Sequence, residues 1–400
     1  MKNQWQDMIN ALRSGDSGPA DLSDTAGLTG KLELMLIRLQ ADPCPDRAAD
    51  AMEIIELLPW RTLPVPENET LLICIIRLGR ILSRLGRIDR ADAVFRMAVD
   101  RAGETSCPRL PAIAHMELGE LARRRGMLDI AADHQTRAME SAREAGLDRE
   151  EADALNNLAN VAIESGDLDR AETLLGKSLD IAESIGETRL EGHIYNNLGV
   201  INCLRGQFDD ALSDFNRAIP LREQAGDTRG LSETYHNMGL ALLDSGRPDT
   251  AVDYVNRALT LAQDNRDAGQ EAHIMLTLTE LTYHRQDLNY ALSMAEQLSQ
   301  RQDAMGDRPG LAETHKLIGR IYLDQDIFKK AEDYLNTAIT MFRSLGLRPG
   351  EAETLKTLGV CCLRQGKTSE SRSFLERARN LFAHLGNQME INAIDTLMAS

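Results

Sequence analysis

Small residues recur along the chain with a period of forty residues, and this repeat restricts the fold more than any other feature. Most periods hold a small residue, a glycine seven positions later, and an alanine five positions after that glycine. Small side chains at fixed spacing let helices approach closely, so the pattern predicts tandem helical hairpins. The three columns are Gly79, Gly119, Ala159, Gly199, Gly239, Thr279, Gly319 and Gly359; Gly86, Gly126, Gly166, Gly206, Gly246, Gln286, Asp326 and Gly366; and Ala91, Ala131, Ala171, Ala211, Ala251, Ala291, Ala331 and Ser371.

The same columns set the predicted domain boundaries. Eight repeats begin at residues 72, 112, 152, 192, 232, 272, 312 and 352 and together span 72–391. Near the end of most repeats a further glycine, at 146, 186, 226, 306, 346 and 386, is typical of a left-handed helix cap. Repeat 6 (272–311) departs from the pattern at Thr279, Gln286 and Leu298, so we expect the array to be weakest there.

Two segments flank the repeats. Residues 1–71 are predicted to form an N-terminal helical region, with a short helix over 2–14. Within that region, 32–71 resembles a degenerate ninth repeat that is interrupted by Pro43, Pro45, Pro64 and Pro66. Residues 392–400 are predicted to form a capping helix, which would cover the apolar face of the last repeat.

The composition agrees with closely packed helices and argues against nucleic acid as a partner. Aromatic residues make up only 4% of the chain although 42% is hydrophobic, so small and unbranched residues must fill the core. The formal net charge of −17 is unfavourable for binding a phosphate backbone.

Neither a targeting segment nor a membrane span is evident in the sequence. The amino terminus has no apolar stretch of signal-peptide length, and the longest apolar run, 71–76, is far too short to cross a bilayer. The cysteines show no disulfide or zinc spacing. We therefore expect a cytoplasmic protein without membrane insertion. The six cysteines are Cys44, Cys74, Cys107, Cys203, Cys361 and Cys362.

The repeat resembles the tetratricopeptide repeat (TPR), whose helical hairpins carry Leu-Gly in the first helix and two alanines in the second. The resemblance implies an all-α, right-handed superhelix, an α-solenoid of about eight hairpins with helical caps. The common TPR period is about 34 residues, so these repeats are longer, and they resemble those of Pins-type adaptors and kinesin light chain. In repeat 4 the matching residues are Leu198, Gly199, Gly206, Ala211, Phe215 and Ala218.

Asparagines recur on one side of the first helix in successive repeats. With position 1 as the first residue of a repeat and about 100° per residue, positions 2, 5, 6, 9 and 13 share one arc. We call it the groove arc, because it faces the concave groove in the TPR superhelix that the resemblance implies. A row of amides offers donors and acceptors to the backbone of an extended peptide; alternatively, the asparagines bond to one another or to water. Position 6 holds Asn157, Asn197 and Asn237, position 5 holds Asn156 and Asn196, and position 9 of repeat 3 holds Asn160.

Basic residues and histidines occupy other groove-arc positions. A first cluster suits an acidic segment or a terminal carboxylate, or else forms ion pairs between repeats with Glu117 and Glu120. A second cluster at the other end is flanked by Glu313, Asp324 and Glu353. The histidines His193, His236, His273 and His284 lack metal-ligand spacing. The first cluster is Arg77, Arg80, Arg84 and Arg124, and the second is Lys316, Arg320, Lys356 and Arg364.

No catalytic or cofactor-binding motif is present in the sequence. A nucleophile elbow, a phosphate-binding loop and a dinucleotide fingerprint are all missing. Cys361 and Cys362 fall at apolar positions, and His115 and His315 fall where other repeats carry core residues. We therefore expect a protein that is not an enzyme and needs no cofactor.

These observations favour a protein–protein interaction scaffold that captures an extended segment of a partner protein in its groove. The alternative is a regulator resembling the Gram-positive Rap group, in which a small helical region precedes a TPR array that switches when a short signal peptide binds. Self-association is left open by the sequence.

Overall fold

The computed structural model describes residues 9, 25–41, 44–57, 65–85, 87–102, 107–385 and 387–399. Over these ranges the protein is all-α, with nineteen bounded helices and no strand, so the predicted fold class is confirmed. The chain divides into two compact bodies, Met1–Arg205 and Gly206–Ser400.

The helices follow the predicted order of the repeats, and we call the first and second helix of each repeat helix A and helix B. In repeats 3 to 8, helix A begins four residues before the first residue of the repeat. The N-terminal body holds α1 (Thr25–Ala41), α2 (Pro45–Leu57), α3 (Val65–Arg84), α4 (Ile88–Ala102), α5 (Arg109–Arg124), α6 (Leu128–Glu144), α7 (Asp148–Ser165), α8 (Leu168–Ile185) and α9 (Thr188–Leu204). The C-terminal body holds α10 (Phe208–Gln224), α11 (Thr228–Asp244), α12 (Pro248–Asp264), α13 (Ala268–His284), α14 (Leu288–Met305), α15 (Arg308–Asp324), α16 (Phe328–Leu345), α17 (Arg348–Arg364), α18 (Thr368–His384) and α19 (Gln388–Ala399).

The two flanking segments also form helices where the structure describes them. In α1 and α2, Leu32, Leu36 and Ala51 are buried in one core with α3. At the other end, α19 covers the last repeat and buries Ile391 and Ile394. The predicted helix over 2–14 lies outside the described residues except for Ile9, and residues 42–43 and 58–64, with two of the interrupting prolines, also lie outside them.

Left-handed backbone at the corners ends the helices on the predicted grid. Ten glycines have φ between 62° and 82°, whereas Gly86 and Gly386 lie outside the described residues. Among the described residues, three positions lack the expected glycine yet adopt the same conformation, with φ of 53° at Arg266, 64° at Gln286 and 58° at Asp326. The backbone therefore keeps its corner geometry even where the side chain disfavours it.

Five of the described helices have an aspartate as their N-cap residue. The carboxylates of Asp167, Asp227, Asp267, Asp287 and Asp307 each accept a hydrogen bond from the backbone N–H three residues later, at 3.1–3.3 Å. An N-cap of this kind satisfies a donor that the first turn of a helix would otherwise leave unpaired.

Within each body, helix A and helix B of a hairpin pack through pairs of positions that are matched in size. A Cβ added to Gly79 would lie 2.4 Å from the Phe95 ring, and one added to Gly239 would lie 2.4 Å from Val255 Cγ2. In repeat 6 the sizes are exchanged, because buried Thr279 and Ala295 occupy these two positions. The departure of repeat 6 at Thr279 is thus compensated by a smaller partner, and its expected weakness stays a prediction.

A second size-matched pair joins helix B of one repeat to helix A of the next. A Cβ on Gly350 would lie 2.5 Å from Phe342 Cε1, and one on Gly230 would lie 2.5 Å from Arg222 Nη1. Arg222 is only 1% exposed, and its guanidinium lies 3.5 Å from Glu233.

Pairs of side chains from helix A and helix B also line each hairpin, and in repeat 2 this pair is His115 and His134. Their Nδ1 atoms lie 3.0 Å apart. Burial and the neighbouring ring lower the pKa of His115 to about 4, and burial lowers the pKa of His134. Charged neighbours are balanced, since Asp92 and Asp133 oppose Arg96 and Arg137. The equivalent pair of repeat 7 places His315 edge-on against Tyr334, so both predicted core-lining histidines do line hairpins.

We expect strong coupling between Phe342 and Gly350 in a double-mutant cycle. Gly350→Leu should overpack the joint and cost about 1–3 kcal/mol, and Phe342→Ala should leave a cavity and cost about 3–5 kcal/mol. The double variant recreates the Ala182 and Leu190 pair of the N-terminal body, so much of the loss should be recovered. Additive losses in denaturant unfolding would show that the two positions are not matched.

Replacing Gln286 with glycine should increase the stability of the protein. Gln286→Gly relieves a left-handed conformation that costs an L-residue about 1–2 kcal/mol, so the melting temperature should rise. The control is Gln286→Ala, which shortens the side chain but keeps the Cβ and should give no such gain. Equal melting temperatures for the two variants would contradict this account.

Acid should destabilise the His115–His134 pair. Both pKa values are lower in the folded chain than the unperturbed value of about 6.5, so the unfolded chain takes up protons first as the pH falls. This contribution to stability is therefore complete above about pH 6.5 and is lost as the pH falls toward 4. Replacing the pair with leucines, as at Leu155 and Leu174 of repeat 3, should reduce the fall in melting temperature between about pH 7 and pH 5. An undiminished fall in the leucine variant would assign the effect to other groups.

Candidate peptide-binding surface

In the N-terminal body the predicted asparagines lie on α7 and α9, and several of them bond to one another. Asn197 Nδ2 donates to Asn156 Oδ1 at 3.0 Å and to Asn160 Oδ1 at 2.9 Å, which uses both of its N–H groups. Asn156 is 8% exposed and Asn196 is 1% exposed, so neither presents much of its amide to a ligand. The alternative considered from the sequence therefore describes Asn197 and Asn156.

Asn157 differs from Asn197 although both occupy position 6. Its half-buried amide makes no hydrogen bond to any other residue that the structure describes. The cause lies in the preceding repeat, where Met116 and Glu120 stand at the positions that Asn156 and Asn160 fill beneath Asn197. Glu120 is in turn paired with Arg123 at 2.8 Å.

Asn160 is also available in part. Its Oδ1 accepts from Asn197, while its Nδ2 donates to none of the described residues. Asp153 lies on the same arc. Burial raises the pKa of Asp153 to about 6, although the positive charges of Arg149 and His193 favour the ionised carboxylate. The centre of this surface therefore combines amide groups with one carboxyl that gains a proton in mildly acidic solution.

The first basic cluster is mostly engaged within the chain. Arg80 Nε lies 2.6 Å from Glu117 Oε1, as the ion-pair alternative predicted. Arg77 instead lies 3.5 Å from Glu33 of α1, so its expected pairing with repeat 2 is wrong. Arg124 donates to Ser83 Oγ at 2.8 Å. The side chain of Arg84 lies outside the described residues.

In the C-terminal body, His236 and Thr277 repeat the pattern seen in the asparagines. His236 Nε2 lies 2.8 Å from Thr277 Oγ1, again joining position 5 of one repeat to position 6 of the next. The His273 ring meets His236 edge-on at 4.9 Å between centroids. Burial, aided by His273, lowers the pKa of His236 to about 3, so this imidazole is neutral. Asn237, the third predicted asparagine, is half-buried in α11.

The second basic cluster is also largely ion-paired. Lys316 Nζ lies 2.7 Å from both Glu313 and Glu353, and Lys356 Nζ contacts Glu390. Two of the three flanking carboxylates that the sequence indicated, Glu313 and Glu353, are thus the partners of Lys316. Arg364 lies 2.7 Å from Asp326 and 3.6 Å from Asp324. Arg320 has no ion pair among the described residues and lies over the Tyr283 ring, 4.8 Å from its centroid.

The sequence did not single out Met116 or Asp153 on the N-terminal body, or Tyr283 on the C-terminal body, as candidate site residues. Tyr283 lies at position 12, just outside the groove arc, but its ring contacts the groove-arc residue Arg320. The positional pattern did contain Met116 and Asp153, at positions 5 and 2, but neither residue type suggested a role alone. In the part of the chain that the structure describes, no three His, Cys, Asp or Glu side chains converge as metal ligands would. None of the described helices combines the length and apolar character needed to cross a membrane.

Sequence-family comparison identifies the repeats directly. A tetratricopeptide repeat profile matches residues 110–184, 190–264 and 328–383, and a second tetratricopeptide repeat profile matches residues 76–142. A search of curated protein sequences finds no significant match.

Solved structures similar to this chain include the following three proteins, and their sequence identities are low enough that the likeness shows the fold alone. A Rap protein complexed with Competence and Sporulation Factor has a TM-score of 0.65 and 14% identity, covering 92% of this chain and 99% of that chain. The apo form of the quorum sensor NprR from B. thuringiensis has a TM-score of 0.62 and 16% identity, over 90% of this chain and 99% of that one. Aspartyl phosphate phosphatase F from Bacillus subtilis has a TM-score of 0.56 and 14% identity, over 85% and 92%.

The profile matches cover more than half of the chain and fall on the helical hairpins described above. They confirm the resemblance drawn from the small-residue columns. The chain belongs to the tetratricopeptide repeat family.

Proposed function

We propose that this TPR protein is a non-enzymatic interaction scaffold that holds an extended segment of a partner protein on its groove arc. The observation that carries the proposal is the open amide of Asn157. It is half-buried on a helix of the N-terminal body, and no described residue satisfies it. Amides in such positions are normally bonded to protein or water, so a ligand backbone would find a ready partner there.

Neighbouring side chains make the surface around Asn157 suitable for a peptide. Asn160 adds a second amide N–H one turn away, and half-buried Ile113 and Met116 supply apolar contact area on α5. Amides that bind a main chain and apolar side chains that select residues are a common combination in peptide recognition.

The proposal is narrower than a ladder of equal asparagines. Asn197 already donates both N–H groups within the chain, and Asn196 is buried, so we assign the main backbone contacts to Asn157 and Asn160. In the N-terminal body, His193, Arg124 and the ion-paired Arg77 and Arg80 are assigned to the margins of this surface. In the C-terminal body, Asn237 and the ion-paired Lys316 and Lys356 are assigned to a separate peptide-contacting surface. Released from their carboxylates, the cations could still contact a partner, but only at the expense of existing ion pairs.

A second candidate is a peptide-sensing regulator of the Rap type. The observation that favours it is the likeness in fold to a Rap protein over 92% of this chain, which includes more than the repeats alone. Binding of a short peptide with a large change in radius of gyration would favour the regulator. Binding of a partner's tail without that change would favour the scaffold.

The remaining assignments accompany either candidate. We place the protein in the cytoplasm, where its six cysteines, all without disulfides, would stay reduced. We assign it no catalytic role, cofactor, nucleic acid or membrane partner, and self-association stays open.

Selection from a library of random 12-residue peptides displayed on phage tests the proposal. The wild type should select peptides, and Asn157→Ala should weaken the selected peptides by about 2- to 13-fold, the equivalent of one neutral hydrogen bond. Asn157→Ala should not lower the melting temperature, because alanine favours the helix and no internal bond is lost.

The matched control is Asn256→Ala, which removes an exposed asparagine from helix B of repeat 5, outside the groove arc. It should leave peptide affinity unchanged. Selected peptides that bind Asn157→Ala as tightly as the wild type would remove Asn157 from the site, and failure to select any peptide would count against the function itself.

A further inference from the structure

Arg320 differs from most of the described cations of the groove arc, although Arg124, which donates to Ser83, has no carboxylate partner either. Arg77, Arg80, Lys316, Lys356 and Arg364 each contact a carboxylate, as described above. Arg320 forms no ion pair with any described residue, although it is partly buried near the C-terminal end of α15.

The repeat pattern explains why Arg320 lacks a carboxylate partner. Arg80 also stands at position 9, and its partner Glu117 stands at position 6 of the next repeat. For Arg320 the residue at position 6 of the next repeat is Thr357. The chain thus keeps the arginine and omits the acid that would neutralise it.

Tyr283 holds the guanidinium in place. The guanidinium carbon of Arg320 lies 4.8 Å from the ring centroid, and the Tyr283 hydroxyl donates to Asp324 Oδ2 at 2.6 Å, which fixes the ring. An arginine stacked on an aromatic ring keeps its edge N–H groups available, and this fork matches the two oxygens of a carboxylate.

Nearby charges permit an anion at this position. Glu280 faces the same region. Burial raises the pKa of Glu280 and disfavours its charged form, whereas the positive charges of Lys316 and Arg320 lower that pKa. Lys316 is already paired with Glu313 and Glu353. Burial lowers the pKa of His284, with Arg320 contributing, so that ring is neutral near pH 7. Two nearby carboxylates therefore oppose an incoming carboxylate: Glu280, and Asp324, which accepts from the Tyr283 hydroxyl and lies 3.6 Å from Arg364.

We propose that Arg320, stacked on Tyr283, forms a subsite for one carboxylate of a peptide bound to the C-terminal body. The carboxylate belongs either to an acidic side chain or to a free peptide terminus. This inference rests on the proposed function, because it names a chemical feature of the bound segment.

Two measurements test the subsite. In the first, glutarate is titrated into the full chain while the Nε–Hε resonances of arginine are followed by NMR. Arg257 is an internal control in the same spectrum, because its guanidinium also lies over tyrosine rings, at 5.6 Å from Tyr254 and 5.9 Å from Tyr235, without a described ion pair. Glutarate should shift Arg320 saturably and more than Arg257, and Glu280→Gln should tighten that response.

In the second measurement, the wild type, Arg320→Gln and Arg257→Gln select peptides from two displayed libraries of random 12-residue peptides. One library leaves the carboxyl terminus free, and the other embeds the peptide between constant segments. The wild type and Arg257→Gln should enrich an acidic residue or a free terminus at a fixed place, and Arg320→Gln should not. Acidic peptides selected by the wild type should bind Arg320→Gln roughly 10- to 100-fold more weakly, the equivalent of a charged hydrogen bond.

The outcomes separate this inference from the function on which it rests. If Arg320 responds to glutarate but no peptide is selected, the function fails while the anion subsite stands. If peptides are selected without any acidic preference, or if Arg320→Gln selects the same acidic peptides, the subsite is overturned while the function stands. An Arg320 resonance that shifts no more than that of Arg257 also overturns the subsite. Enrichment in only one library identifies the source of the carboxylate.

Discussion

The close approach of neighbouring helices at size-matched positions is the constraint on which the rest of this protein depends. A glycine on one helix meets a large side chain on the next, as at Gly79 with Phe95 and Gly350 with Phe342. Helices packed this closely leave little room for large side chains between them. The core therefore contains few aromatic residues and consists largely of alanine and leucine. Helix spacing set in this way also fixes which groove-arc positions of successive repeats can touch.

Hydrogen bonds between repeats then decide which groove-arc side chains remain for a partner. Position 6 reaches back to position 5 of the preceding repeat in Asn197 with Asn156 and in Thr277 with His236. Where the preceding residue cannot bond, as with Met116 below Asn157, the amide stays open. A residue's availability is thus a property of two adjacent repeats, and identical residues at one position can have different roles.

Much of the fold could be predicted from the sequence because glycine and alanine columns report backbone geometry directly. The left-handed corners at Gln286 and Asp326 fell on the predicted grid even without glycine. The site was less predictable. Arg77 pairs with Glu33, a residue of α1 that no repeat position could indicate, since α1 lies outside the eight repeats. Likewise, the burial of Asn156 depends on how α7 and α9 face each other, which the residue type alone does not reveal.

Matched packing between consecutive repeats also restricts how such a gene can change. At the joint between Phe342 and Gly350, the large side chain belongs to the earlier repeat. At the joint between Ala182 and Leu190, it belongs to the later repeat. A second copy of repeat 6 would place Gln302 against Gln270, two large residues, whereas a second copy of repeat 7 would keep a match, Phe342 against Gly310. Only some repeats can therefore be duplicated without disturbing a joint, while substitutions on the groove arc leave every joint unchanged.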